Sequence, residues 1–388
     1  MDLYTVENGI DLQDVDVNSF LNLGKKQSPL KLYIDGDEFS EFNGLRLSYA
    51  IDSGCAAFSF DTIFYPSKGL SNNIKPFGNE KIIIKYNDKV IFNGYIEKIT
   101  TGYSNSGSNI NIQGRSRSAI LLDTQISGGQ SRSSTLVGLS QNFGYANLVT
   151  ANPDETYPLF DYDSGDNAFD ILTKYASQKG LWAIPKFDGT LSFVKIERLT
   201  NTKISIEDGN QNVLSITASY DVTRRNSEYI GFKKGLKPYI IEDKTITERG
   251  KKYLRGNDIV SDLGQVAKLG RSKAIADSMN FSVVLSTWEW NKSLFQPGIL
   301  IEITSPMNLI YKKSKFCVKQ VDYTYDINSG FITELQLALP SVYTLEDPNT
   351  EFFQKYPDLE LTWKNKIAGY FKIPDSKEAY DKTIGKLF

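Results

Sequence analysis

The chain has 388 residues, 44 of them Lys or Arg and 46 Asp or Glu, with a formal net charge of −2 and no histidine. The missing imidazole excludes Ser-His-Asp and Cys-His catalysis and removes the commonest transition-metal ligand. The charge balance disfavours bulk nucleic-acid binding, and the length calls for two to four compact units, which 40% hydrophobic residues can fill.

No apolar run is long enough to cross a bilayer, so no membrane insertion is expected. The start, MDLYTVENGIDLQDVD, is acidic, lacks an apolar core segment and is not read as a secretory signal. Cys55 and Cys317 each lie in an apolar stretch and read as buried free thiols, which fits assembly in a reducing cytoplasm. Arg224-Arg225 and Lys312-Lys313 read as solvated loop charge.

In chain order, residues 30–35 (LKLYID) read as a strand, with a hairpin turn at Asp35-Gly36-Asp37. Leu45, Leu47, Tyr49 and Ile51 alternate over 45–51, as do Phe58, Phe60, Thr62 and Phe64 over 58–64. That period of two indicates half-buried strands, ended by Pro66 and Gly69. Lys81 to Tyr86 (KIIIKY), a turn at Asn87-Asp88, Val90 to Ile99 (VIFNGYIEKI), a loop from Tyr103 to Ser108 and Asn109 to Gln113 (NINIQ) make an antiparallel meander. It runs into Gly114-Arg115-Ser116-Arg117-Ser118. Arg115 and Arg117 could meet a phosphate; with Asp123 close behind, an internal ion pair at a module junction is the preferred reading.

A helix is predicted over Ser134 to Phe143, with Leu136, Leu139 and Phe143 on one face, Ser133 or Ser134 as N-cap and Gly144 as stop. A second spans Asp166 to Lys179, carrying Ala168, Ile171, Leu172 and Tyr175 on one face. Asp166 and Asp170 lie at its positive end, and Gly180 terminates it. Leu181 to Phe187 and Thr190 to Ile196 flank Asp188-Gly189 as a hairpin. An Ala- and Lys-rich helix over 261–278 leads straight into a strand over 281–290.

Near the other end the order of the early meander recurs. Pro297-Gly298 precedes Ile299 to Ile303, as Pro76 to Gly78 precedes Ile82 to Ile84. Phe316 to Tyr323 parallels Phe92 to Ile99, and Phe331 to Leu339 parallels Ile110 to Gln113. These blocks are either two copies of one small barrel-forming unit or two unrelated antiparallel sheets. After residue 345, Pro348, Pro357 and Pro374 separate short aromatic clusters. That segment has no core of its own, and its aromatics are expected to dock on the body or on a neighbouring chain.

The sequence therefore predicts an α+β, mainly β fold. It has two similar small antiparallel β-barrel (tube-like) domains, an inserted α/β module and a C-terminal extension. The boundaries are a lead over 1–27, a first barrel over 28–118, the insertion over 119–200, a second barrel over 201–343 and the extension over 344–388.

Chemical sites are sparse. The Gly-Lys pairs at 24–25, 250–251 and 385–386 lack the upstream glycine of a phosphate loop, and no Gly-x-Ser-x-Gly elbow occurs. Asp161 to Asp166 resembles the start of a calcium loop, but its glycine comes one place early and Leu172 stands where a Glu is needed; a solvated turn is the plainer reading. Asp35, Asp37, Glu97 and Glu302 offer carboxylates without selecting a glycosidase pair, and the four Trp residues read as core rather than a sugar groove. No catalytic, metal or cofactor residue is assigned, and the chain is read as non-enzymatic.

The run NIQGRSRSAILLD, Asn111 to Asp123, resembles the signature of Mu-type contractile phage baseplate hub proteins, through Gly114, Arg115, Ser116, Arg117 and Asp123. The surrounding order is similar too, from Phe92-Asn93-Gly94-Tyr95-Ile96 through the two helices, the hairpin and Trp288 to Leu337-Ala338-Leu339-Pro340. The likeness covers about residues 28–343; the lead and the extension fall outside it. It implies two barrels per subunit and a homotrimeric ring whose six barrels meet the tail tube protein while its three-fold side holds a trimeric spike protein. Baseplate wedge or tape-measure proteins would be further neighbours, with DNA or an effector only in transit through the channel. No cofactor is implied, and the expected location is the virion tail baseplate, after assembly in the host cytoplasm. A tail-associated cell-wall hydrolase working through carboxylates and a glycan- or receptor-binding tail-tip protein are the alternatives.

Overall fold

The computed structural model describes residues 28–62, 74–75, 77–104, 107–196, 201–246, 248–256 and 262–344. The expectations for the lead, for Phe64, Pro66, Gly69, Pro76 and Ser261, and for the segment from 345 onward lie outside the described residues.

The alternating segments form strands with their apolar members on one face. β1 (Leu30–Ile34) buries Leu30, Leu32 and Ile34, then turns through Asp35 and Gly36, at φ 49° and 98°, into β2 (Asp37–Phe39). β3 (Gly44–Ala50) buries Leu45, Leu47 and Tyr49, and β4 (Ala57–Thr62) buries Phe58, Phe60 and Thr62. β5 (Lys81–Tyr86), β6 (Lys89–Ser104) and β7 (Gly107–Ser116) make the meander, with Asn87 and Asp88 at φ 50° and 61° in its first turn. The loop expected over 103–108 is shorter, because the ladder pairs Tyr103 with Ser108 and Ser104 with Gly107. Backbone pairing here overrides a loop-like composition.

A turn at Arg117–Ala119 and α1 (Ile120–Asp123) lead into the α/β module. Its elements are β8 (Gly129–Ser134), α2 (Leu136–Asn142), β9 (Val149–Asn152), β10 (Tyr157–Tyr162), α3 (Ala168–Gln178), β11 (Trp182–Pro185) and β12 (Leu191–Val194). The N-cap of α2 is Thr135, whose side chain accepts from Gly138 N at 3.0 Å. Ser134, expected in that role, is instead paired with Tyr157 across β8 and β10. Asn167 caps α3, accepting from Asp170 N at 2.7 Å, and Gly180 follows at φ 68°. The module has its own apolar cluster, centred on Leu121, Leu139, Phe160, Leu172, Leu191 and Phe193.

The remainder comprises β13 (Asn201–Glu207), β14 (Val213–Tyr220), β15 (Glu228–Phe232), β16 (Tyr239–Glu242), β17 (Lys251–Arg255), α4 (Leu263–Ser278) and β18 (Met279–Leu285). Then come β19 (Glu289–Trp290), β20 (Ser293–Leu294), β21 (Leu300–Ser305), β22 (Ile310–Asp326), β23 (Gly330–Ala338) and α5 (Ser341–Thr344). The strand expected over 281–290 stops at Leu285, and Trp288 turns into the core with no exposed surface. Sequence reading gave no sign of the small sheet β16-β15-β17, on which α4 packs.

The fold is mainly β with few helices. Its two ends are built alike: the order β3-β4-β7-β6-β5-β1 is repeated by β14-β18-β23-β22-β21-β13. The irregularities match as well. The β6/β7 register shifts between Ile96 and Lys98, and that of β22/β23 between Val318 and Gln320. The β5/β6 shift between Ile84 and Lys85 is answered by the β21/β22 shift between Ile303 and Ser305. One strand differs: β1 is antiparallel to β5, whereas β13 is parallel to β21. Ladder position makes Ile96 the counterpart of Val318, so Phe316 answers Gly94 rather than Phe92. A bulge sets register through hydrogen bonds, which residue-type matching does not capture. The two units share one 13-stranded sheet, because β3 of the first pairs with β22 of the second.

Trp288 fastens the units together. Its Nε1 donates to the carbonyls of Thr324 and Ile332, both at 3.0 Å. Its ring packs on Tyr323 and Phe331 of the second unit and on Tyr86 of the first, at centroid distances of 5.3, 5.0 and 5.2 Å. Trp288→Ala is expected to destabilise the chain by about 3–5 kcal/mol, read from the denaturant midpoint. The buried hydroxyl of Tyr49 donates to Ile91 O, and that of Tyr323 to Phe295 O at 2.5 Å. Burial pushes both phenols well above their usual value of 10.0. The unfolded chain loses those protons first, so their contribution is complete below about pH 10 and disappears as pH rises further. In an alkaline titration the last part of the phenolate absorbance, contributed by these buried tyrosines, is expected to appear together with unfolding rather than before it.

Candidate assembly site

The internal seam is a seven-pair antiparallel ladder, from Gln320 opposite Ala50 to Asp326 opposite Gly44. On the core side it buries Leu45, Leu47, Tyr49, Val321 and Tyr323. The opposite face is polar and open: a recess of about 550 Å³ there is lined by Arg46, Ser48, Ser59, Gln113, Asp322 and Glu334, among others. Two acids of this face are held by neighbouring amides. Asn111 Nδ2 donates to Asp61 at 2.8 Å, and Gln320 Nε2 donates to Asp322 at 2.7 Å. Such a surface offers hydroxyls and amides rather than a nucleophile or a basic cluster.

The same seam has two half-copies without a partner among the described residues. β14, the counterpart of β3, pairs only with β18 and ends the sheet. β6, the counterpart of β22, pairs with β5 only as far as Tyr95; from Lys98 to Tyr103 it pairs with β7 alone.

The signature residues gather where the first unit meets the α/β module. Gly114 faces Ile96 at the β6 bulge, where a Cβ would come within 1.9 Å of Tyr95 O. Arg115 donates to both oxygens of Asp123, at 3.1 and 2.6 Å, and through Nε to Glu97 at 2.7 Å. Glu97 is the bulged residue itself, and with Asp123 it raises the guanidinium pKa further above its ordinary value. All three guanidinium nitrogens are thus engaged, which is the internal ion pair rather than the phosphate contact. Ser116 Oγ accepts from Ala56 N at 2.9 Å, and Ser118 N donates to Gly189 O at 3.0 Å. Gly189, at φ 85°, presses against Asn93 O and Arg117, so the Asp188-Gly189 turn is wedged into the joint.

Sequence reading missed Glu97 as the partner of Arg115. The available signal was a break in phase, since Glu97-Lys98 places two polar residues where strict alternation allows one. Other carboxylates named from sequence do not converge. Glu302 pairs with Lys313 at 2.9 Å, and Asp35 receives Lys81 N at 2.9 Å. Asp161 and Tyr162 end β10 and residues 163–166 form the turn before α3, and among the described residues no group of three or more His, Cys, Asp or Glu could hold a metal ion. Burial raises the Cys55 thiol to about 11 and the Cys317 thiol further, which keeps both protonated.

No family model matches the chain, and no curated protein does. Solved structures do match. The chain is similar to the 43 kDa tail protein of prophage MuSo2 from Shewanella oneidensis, with TM-score 0.70 and 16% identity over 81% of this chain and 98% of that one. A tail protein from Neisseria meningitidis gives TM-score 0.70 and 16% identity, over 82% and 98% of the two chains. An E. coli component of the type VI secretion system, described as structurally similar to the T4 phage tail proteins gp27 and gp5, gives TM-score 0.52 and 10% identity over 85% and 80%. The likeness is one of fold: at 10–16% identity this chain shares the architecture of these tail and secretion-system proteins.

Arg115→Ala is expected to lower stability by about 1 kcal/mol, a modest figure because the pair is partly exposed. Arg115→Lys should recover only part of that, since an ammonium cannot bridge two carboxylates with the same geometry. Urea midpoints of the three proteins check both expectations; equal midpoints would mean the joint does not depend on the guanidinium.

Proposed function

We propose that the chain is a structural hub of a contractile phage tail or related injection machine, closing as a ring of three copies between a six-fold tail tube and a trimeric spike. The observation that carries this reading is the pair of unfilled half-seams. β3 and β22 join the two units inside one chain, and their counterparts β14 and β6 are open among the described residues. Joining β14 of one copy to β6 of the next repeats the internal seam, a head-to-tail contact that can close a ring. Three copies then present six similar units in succession, and the open sheet edges are consumed.

The ladder equivalences fix the register of that contact. Leu47 answers Ala218 and Tyr323 answers Thr101, so the Tyr323–Leu47 pair becomes Thr101 opposite Ala218 between copies. Ser219 then stands opposite Thr100, and Thr217 opposite Gly102. In such a ring the polar sheet face would be continuous from copy to copy and line the passage. Hydroxyls and amide-capped acids offer little purchase to a phosphate backbone, which suits DNA or an effector in transit. A role in architecture rather than chemistry is supported by the fold comparison and by the ion pairs that engage Glu97 and Glu302. The virion tail is the corresponding location.

The test is a cysteine pair. Directly opposed residues of an antiparallel ladder have Cα atoms about 4.5–5.5 Å apart, within disulfide range. A chain carrying both Thr100→Cys and Ser219→Cys is expected to oxidise to covalent species ending at three copies, while either single variant gives no trimer. Failure of the double variant to cross-link at concentrations where light scattering reports a trimer would refute this register. A strict monomer in the presence of tube and spike proteins would refute the ring.

A further inference from the structure

The register proposed above sets residues 98–103 of one copy against residues 216–221 of the next, and the two faces of that contact differ in chemistry. On the core side Ile99 meets Tyr220, Thr101 meets Ala218 and Tyr103 meets Ile216. Within one copy Tyr103 is 87% and Tyr220 38% exposed, whereas Tyr49, the counterpart of Tyr220, is 1% exposed in the internal seam. The two counterparts are held alike. The Tyr49 hydroxyl donates to Ile91 O, and that of Tyr220 to Asn308 O at 2.8 Å, each where the long strand of its unit begins. Tyr220 is thus set as a seam residue whose cover a second copy would supply.

On the polar side Lys98 comes opposite Asp221. Each is the only charged residue of its stretch, KITTGY and ITASYD, and the signs are opposite. Both residues are exposed. Asp221 N donates to Ser278 O at 2.7 Å, which turns its backbone groups toward β18. Its rung with Lys98 would then be of the non-hydrogen-bonded kind, where facing side chains approach most closely. Bonds from Thr223, with Arg224 and Arg249 nearby, hold the Asp221 carboxyl below its usual pKa and keep it charged. The internal seam has no such pair: there the same rung is Gln320 opposite Ala50. One chain carries both of those strands, so no choice of partner has to be made.

We infer that Lys98 of one copy and Asp221 of the next form an ion pair that pins the register of their contact and directs each open edge to the other kind of edge. The inference rests on the ring proposed above and names what selects the partner strand. A slip of two residues along the contact would set Lys98 against Ser219 or Thr223. Pairing β14 with β14, or β6 with β6, would bring no opposite charge to either stretch.

The experiment adds charge changes to the full-length chain carrying Thr100→Cys and Ser219→Cys, and reads the yield of covalent trimer at low salt. Lys98→Glu alone, or Asp221→Lys alone, is expected to lower that yield by about tenfold, because the lost pair recurs at every junction of the ring. Lys98→Glu combined with Asp221→Lys is expected to restore it, since each junction regains a pair of reversed sense. Undiminished yield in both single variants would overturn the ion pair and leave the ring standing. So would single variants that lose the trimer and a combination that does not regain it. Absence of cross-linked trimer in the parent, with its lysine and aspartate intact, would instead overturn the register, and the pair with it.

Discussion

The antiparallel ladder between β3 and β22 is the constraint on which the architecture rests. It turns two similar units into one sheet and so fixes how each faces the other. The bulge at Lys319 makes the arrangement possible: β22 pairs with β21 up to Cys317 and with β3 from Gln320 onward, handing its edge from one neighbour to the next. Ile51 N donates to Lys319 O at 2.9 Å, so the bulged residue is itself part of the seam. An unbulged strand of this length would have to stay with one partner along its edge or leave backbone groups unpaired.

The equivalent bulge in the first unit has a different use. Among the described residues no strand lies beside Glu97 as β3 lies beside Lys319, and its carboxylate takes Arg115 instead. Arg115 also holds Asp123 at the end of α1, so the first unit grips the α/β module at the point where its twin grips a neighbouring strand. The Asp188-Gly189 turn completes that grip by pressing on Asn93 and Arg117, a close approach that only a residue without a side chain permits. One geometric device thus serves two kinds of joint, according to what lies beside it.

Much of this was legible in the chain. Alternation located β1, β3, β4 and the meander, because each strand buries one face only and period two is the direct imprint of that. Asp35-Gly36, Asn87-Asp88 and Asp188-Gly189 announced their turns through their need for positive φ. The ion pair at Arg115 was readable from the proximity of Asp123. The small sheet of β15, β16 and β17 was not. Its outer strands are four and five residues long and largely exposed on both faces, so no period is imposed on Tyr239–Glu242 or Lys251–Arg255. Sheet edges were equally invisible, since an unpaired edge is a property of the backbone and leaves side-chain order untouched. The offset between Phe316 and Phe92 arose for the same reason.

The twin units are not interchangeable, and the difference lies on their outer strands. β1 runs antiparallel to β5 while β13 runs parallel to β21, and β14 and β18 are separated by the small sheet and α4 where β3 and β4 are separated by residues 51–56 alone. Sister strands that agree at the centre and diverge at the margin leave one continuous sheet with two unlike borders. In a ring of the kind proposed above, the bore would be lined by nearly repeated strands while the rim alternated between the two kinds of margin.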